Sequence, residues 1–121
     1  MQNEVYIHKQ GFIEIRVRGD QTIGSVQAMG DQAVDLARRL RRSKKRVLIL
    51  DNLMEMGEVP MEATTRVMEL VRSSEYDKLA MLGNNRLVKI GANLIFHAAG
   101  RGDRVRYFDS RTEAIRWLQA D

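Results

Sequence analysis

An α/β fold built on a mixed, mainly parallel sheet is what this 121-residue chain predicts, and three observations carry the prediction. Two short segments near the start alternate apolar and polar residues on either side of a glycine turn. Two continuous apolar runs, at 47–50 and 79–82, stand about one helix apart in the chain. Residues 104–118 then set a buried strand, a helix cap and an amphipathic helix in immediate succession. The predicted order is ββαβαβαβα, with the leading hairpin as an antiparallel edge and right-handed crossovers between parallel strands.

Each element has its own warrant. Val5 and Ile7, then Ile13, Ile15 and Val17, alternate with polar neighbours around Lys9, Gln10 and Gly11, the pattern of a β-hairpin. Beyond Thr22 the period lengthens. Val26, Met29, Ala33, Leu36 or Ala37, and Leu40 recur every three or four residues, which predicts a helix to about Ser43 with Thr22 or Ser25 as its cap. Val47, Leu48, Ile49 and Leu50 form a branched apolar run, expected to be a central strand buried on both faces. Residues 52–59 mix two methionines, two glutamates and a glycine without a period, so a loop is expected there.

Pro60 suits the first turn of a helix whose inner side is Ala63, Val67, Leu70 and Val71. A strand at 78–83 follows. Asn84 or Asn85 is expected to cap a helix carrying Leu87, Gly91, Leu94, Ile95 and Ala98, which Gly100 stops in a left-handed conformation. The last strand is 105–108 and the last helix 112–119. Ser110 and Glu113 have capping-box spacing, so each is expected to satisfy the other's backbone N–H. So short a helix is marginal alone, and its Ala114, Ile115, Trp117 and Leu118 must lie on something already folded.

One domain over residues 1–121 is expected, since the chain is long enough for a single core and too short for two. Having no cysteine, it has no disulfide, thiolate nucleophile or cysteine-ligated zinc; this is compatible with a reducing cytosol, and a cytoplasmic protein is expected. The start lacks a basic segment followed by an apolar run, and no stretch approaches the length of a membrane span.

The net charge of +4 is one local patch. Seven of the 20 basic residues fall between Arg38 and Arg46, and the other 13 face 16 acids, a net of −3. Residues 51–77 in turn hold seven acids against Arg66 and Arg72. That asymmetry suits recognition of a charged partner or self-association better than uniform binding along a duplex.

The strands at 46–51 and 78–83 and the closing segment at 105–118, in this order, resemble the STAS superfamily, in particular the SpoIIAA-like proteins of bacteria, which are also similar to CRAL-TRIO lipid-binding domains. The resemblance implies a non-enzymatic regulatory module. In the anti-sigma-factor antagonists of that superfamily the helix after the central strand begins with Asp-Ser, and a partner kinase phosphorylates the serine. The corresponding residues here, 57–62, contain no serine or threonine, and Thr64 and Thr65 lie further inside the helix. Glu58 or Glu62 would supply a fixed charge at the helix start, which cannot be toggled. The resemblance therefore carries over the binding module without the phospho-switch.

Candidate functional residues follow from chemistry and position. His8 and His97 have no partners at ligand spacing, so neither a metal nor a cofactor is expected. No Ser-His-Asp set, positioned lysine or phosphate-cradling loop points to an enzyme. Asp51 ends a buried run, with Asn52, Glu55, Glu58 and the Gly83-Asn84-Asn85 turn nearby in the expected topology. Two readings stay open: a crevice at the strand ends, or carboxyls and amides that cap loops. Leu53, Met54, Met56, Val59 and Met61 either present an adaptable apolar surface or line the core beneath a loop. The expected surface for a protein partner or a second copy is thus Asp51, Met54, Glu55, Met56, Glu58, Met61, Thr64 and Asn84. One alternative makes the same region the lip of a pocket for a small apolar ligand or lipid. Another docks Arg38, Arg41, Arg42, Lys44 and Lys45 on an anionic surface. Nucleic acid is disfavoured because the basic run has no aromatic residue for base stacking.

Overall fold

A computed structural model describes residues 2–98, 100 and 102–120, apart from the side chains of Leu87, Leu94, Ile95 and Phe96. The alternating segments form β1 (Glu4–Ile7) and β2 (Ile13–Gly19), paired antiparallel with Ile7 opposite Ile13. Gly11 turns the hairpin at φ +93°, a conformation that glycine adopts without a Cβ penalty. His8 stacks on Phe12 at 4.5 Å between ring centroids, and the Gln10 N–H donates to its Nδ1.

The first crossover is α1 (Ile23–Arg42), with Thr22 as its cap. Thr22 and Ser25 each accept the other's backbone N–H, at 3.0 and 2.9 Å, closing a reciprocal box. β3 (Leu48–Met56), α2 (Met61–Ser73), β4 (Lys78–Leu82), α3 (Arg86–Ala98), β5 (Val105–Phe108) and α4 (Arg111–Gln119) complete the order ββαβαβαβα. The strands lie side by side in chain order, and β2 through β5 all run parallel. Right-handed crossovers between consecutive neighbours put successive helices on one side, so α1, α2 and α3 share a face and α4 takes the other.

The pleat sorts the side chains accordingly. Ile49, Leu79, Met81 and Tyr107 join Leu40, Val71 and Tyr76 under the crossover helices. Leu48, Leu50, Ala80, Leu82, Phe12 and Phe108 pack against Ala114 and Leu118 of α4. Leu118 is fully buried, so this nine-residue helix is held by its docking, as its length demands.

Three expectations change. Residues 52–56 are strand, because β3 continues alongside the far end of β2, with Arg18 opposite Glu55 and Gly19 opposite Met56. Between Asn52 and Glu55 β3 takes three steps against the two from Arg16 to Arg18 on β2, and this bulge in β3 erases the period-two signal there. In α4 only half of the capping box forms: Ser110 accepts the Glu113 N–H at 3.3 Å, and no described bond returns from the glutamate. Pro60 stands one position earlier than expected, as the cap of α2 rather than within its first turn. Asn85, not Asn84, caps α3 by accepting the Val88 N–H, and Gly100 takes φ +75° beyond its end. Leu87, Leu94 and Ile95, expected on the inner side of α3, have side chains outside the described residues. His97 is exposed.

Candidate functional site

The crossover face is not closed over its whole length. α2 meets α1 where Gly30, lacking a Cβ, admits the Leu70 side chain; an added Cβ would lie 3.0 Å from it. Around that contact a cleft of about 1360 Å³ runs between α1, α2 and the sheet. Its walls are largely apolar, among them Val26, Met29 and Ala33 from α1 and Val67 and Leu70 from α2. The floor tapers. Leu79 and Met81 are buried, whereas Ile15, Asp51 and Leu53 keep part of their surface open.

Asp51 is therefore the carboxylate on the accessible floor. Its neighbours in the sheet register are Ile15 and Met81, and Ile49 and Leu53 flank it on the same face of β3. Among the described residues it has no hydrogen bond or ion pair. Burial without a compensating donor pushes its pKa up to about 7.

The other candidates scatter. Asn52 points to the opposite face and donates to Glu14 at 3.2 Å. Glu55 pairs with Arg18 at 2.9 Å and Arg16 at 3.7 Å. The Glu58 N–H donates to Asp20, and Glu58 lines a small recess with Asp20, Gln21, Val59 and Pro60. Asn84 is exposed on the turn after β4, and no described hydrogen bond joins it to Asp51. Thr64 lines the cleft and returns its hydroxyl proton to the Pro60 carbonyl. The structure thus leaves Asp51 alone instead of gathering a polar group about it.

The methionines divide differently. Met54, Met56 and Met61 are all exposed, Met61 by 83%, at the end of β3 and the start of α2. Met56 also reaches the cleft, as do Leu53 and Val59.

The basic run is the end of α1 and the turn after it. Arg38, Arg41 and Arg42 border the cleft. Arg41 is drawn to Asp77 at 3.0 Å, and Asp77 also accepts the Val47 N–H at 2.7 Å. Burial opposes ionisation of Asp77, but that N–H and the Arg41 and Arg46 charges prevail and hold its pKa below the usual value. Lys44 sits at φ +58° and Lys45 donates its N–H to the Leu40 carbonyl, closing the helix end.

One buried ionic group escaped notice in the sequence. Glu14, 1% exposed, lies on the α4 face and accepts from both Nη atoms of Arg111 at 2.9 and 2.7 Å. Burial raises its pKa, yet Arg111, Asn52 and Tyr6 outweigh burial and leave the net value lowered. A charged residue between Ile13 and Ile15 of an alternating strand was its one sequence signal.

Comparison with known proteins agrees with this architecture. The chain is similar in structure to an uncharacterized protein of the DUF3478 family with a SpoIIAA-like fold from Shewanella loihica PV-4: TM-score 0.63, 15% identity, 96% of this chain and 91% of that one covered. At that identity the likeness speaks for the fold. No curated protein matches significantly. No helix among the described residues is long and apolar enough to cross a membrane. The SpoIIAA-like family model matches residues 12–119, nearly the whole length, and the chain belongs to the SpoIIAA-like family.

Proposed function

We propose that this chain is a non-enzymatic, cytoplasmic binding module that takes a small apolar ligand in the cleft between α1, α2 and the sheet. The cleft itself carries the reading: about 1360 Å³ is larger than the roughly 300–1,000 Å³ common for pockets of drug-sized molecules, and its walls are largely apolar. The arginines at its border give an amphiphile arriving from an anionic surface a favourable approach. The lack of cysteine suits a reducing compartment.

The neutral dye Nile red, which brightens in apolar surroundings, tests the proposal. Bound fluorescence is expected for the native chain, and Val67→Trp, which fills the cleft from α2, should lower the affinity by about tenfold or more, on the order of one hydrophobic anchor. Equal binding by the two proteins would remove the cleft from consideration.

A second reading rests on the exposed thioethers. Met54, Met56 and Met61 form an adaptable apolar surface beside the cleft mouth, suited to a protein partner or a second copy. Mass by light scattering during gel filtration should fall to that of a monomer for Met54→Ser combined with Met56→Ser. An unchanged mass excludes a dimer face at these residues.

A further inference from the structure

Accepting the cleft as a ligand site, we propose that it selects an apolar molecule bearing a hydrogen-bond-donating head, a hydroxyl or an ammonium, and that Asp51 is the acceptor that sets this selectivity.

The selectivity follows from where the donors are committed. Asp51 is surrounded in the sheet by Ile15, Ile49, Leu53 and Met81, none of which carries a side-chain donor. Several polar side chains that reach the cleft from elsewhere are engaged within the chain. Arg66 donates to Gln27 at 2.8 Å and to Glu69 at 2.9 Å. Gln27 commits its amide to Asp31, Thr64 its hydroxyl to Pro60, and Arg41 its guanidinium to Asp77. Gln21 is buried and donates to Asn3, Arg18 and Gly19. An acceptor with about four lone-pair sites therefore faces the cleft with no described partner. A donor that enters the cleft in place of water can bond to it.

Position sharpens the selection. Asp51 lies on the floor, whereas Arg38, Arg41 and Arg42 stand at the border. A carboxylate or phosphate head is attracted to the border and repelled from the floor. A hydroxyl or ammonium head is drawn inward until it meets Asp51, its apolar body against Val67, Leu70 and Met29. The charge-assisted bond formed there is stronger than its counterpart in water because the walls exclude solvent.

Displacement of Nile red from the whole chain at pH 7.5 tests this, using competitors with the same ten-carbon body. These are 1-decanol, decylamine, methyl decanoate, which only accepts hydrogen bonds, and decanoate, each below its micelle concentration. The alcohol and the amine are expected to displace the dye at about tenfold lower concentration than the methyl ester, equivalent to one retained hydrogen bond. Asp51→Leu, with each displacement scaled to that variant's own Nile red affinity, should lose that preference. Asp51→Asn, which keeps an acceptor, should preserve the preference for the alcohol and lose any advantage of the amine. Whichever of the two donors wins in the native chain names the head group. Equal displacement by donor and methyl ester, or a preference for decanoate that Asp51→Leu leaves intact, overturns the assignment while the cleft reading survives. Failure of the native chain to bind the dye overturns both.

Discussion

Arg111, the first residue of α4, closes its guanidinium on Glu14 near the start of β2, with both Nη atoms within 2.9 Å of the carboxylate. The pair spans 97 positions of chain and ties the last helix to the first hairpin. Glu14 is buried while Arg111 is partly exposed, so the arginine is the removable half. Arg111→Ala leaves a buried carboxylate with only Asn52 and Tyr6 beside it, and is expected to cost about 2–4 kcal/mol near neutral pH. Glu14 has its pKa lowered by folding, so its contribution is present above the ordinary glutamate range and is lost as pH falls through the folded value. Urea unfolding should accordingly show the two proteins converging in acid. A loss that persists undiminished at low pH would mean that packing, not charge, holds α4.

Asp51 titrates in the opposite sense. Its folded pKa of about 7 lies above the ordinary 3.8, so the folded chain holds a proton that the unfolded chain releases. Stability from this group therefore falls as pH rises from about 4 to about 7 and then levels. Asp51→Asn should match the native chain near pH 4 and exceed it at pH 8 by about 2–4 kcal/mol, since each tenfold difference in proton affinity between the folded and unfolded chain is worth about 1.4 kcal/mol. Thermal melts at the two pH values check this, and a gap independent of pH refutes it.

Gly83 follows β4 where the Tyr107 hydroxyl lies directly over its Cα, so an added Cβ would collide with the Tyr107 Oη and approach the Cζ to 2.7 Å. The Gly83 N–H also donates to Phe108, which leaves the backbone little room to retreat. Gly83→Ala is expected to lose about 1–3 kcal/mol, the usual cost of overpacking. Combining it with Tyr107→Phe should recover part of that loss in denaturant unfolding, and no recovery would put the strain elsewhere.

Lys44 occupies the left-handed position that ends α1. A side chain there crowds the following carbonyl, and glycine does not. Lys44→Gly should raise the melting temperature, corresponding to about 0.5–1 kcal/mol, despite the loss of a basic residue from the dipole-favourable end. A lower melting temperature would show that the charge matters more than the backbone.

What the sequence displayed, and what it hid, divide along physical lines. Local signals were legible: the hairpin around Gly11, the cap at Thr22, the stop at Gly100 and the continuous apolar runs at 47–50 and 79–82 all appear where their chemistry places them. The extension of β3 to Met56 was hidden because a bulge within it, between Asn52 and Glu55, breaks the alternation on which strand reading depends. The Glu14–Arg111 pair was hidden because nothing local connects residues so far apart. Asp51 stood out as an acid at the end of an apolar run, but its solitude did not. Whether Asn52 and Glu55 accompany it depends on the pleat and on partners supplied by β2, which send both elsewhere, while Glu58 lies beyond the end of β3 with its backbone N–H bonded to Asp20. The cleft depends on how far α2 stands from the sheet, a distance that no residue pattern encodes.

The sheet has two independent hydrophobic attachments. On the α4 side Phe12, Leu48, Leu50, Ala80, Leu82 and Phe108 are sealed by Ala114 and Leu118 without help from α1 or α2. That underside acts as a keel: it braces the strands from below through a cluster of its own, so the anchoring of α4 does not depend on how α1 and α2 pack above.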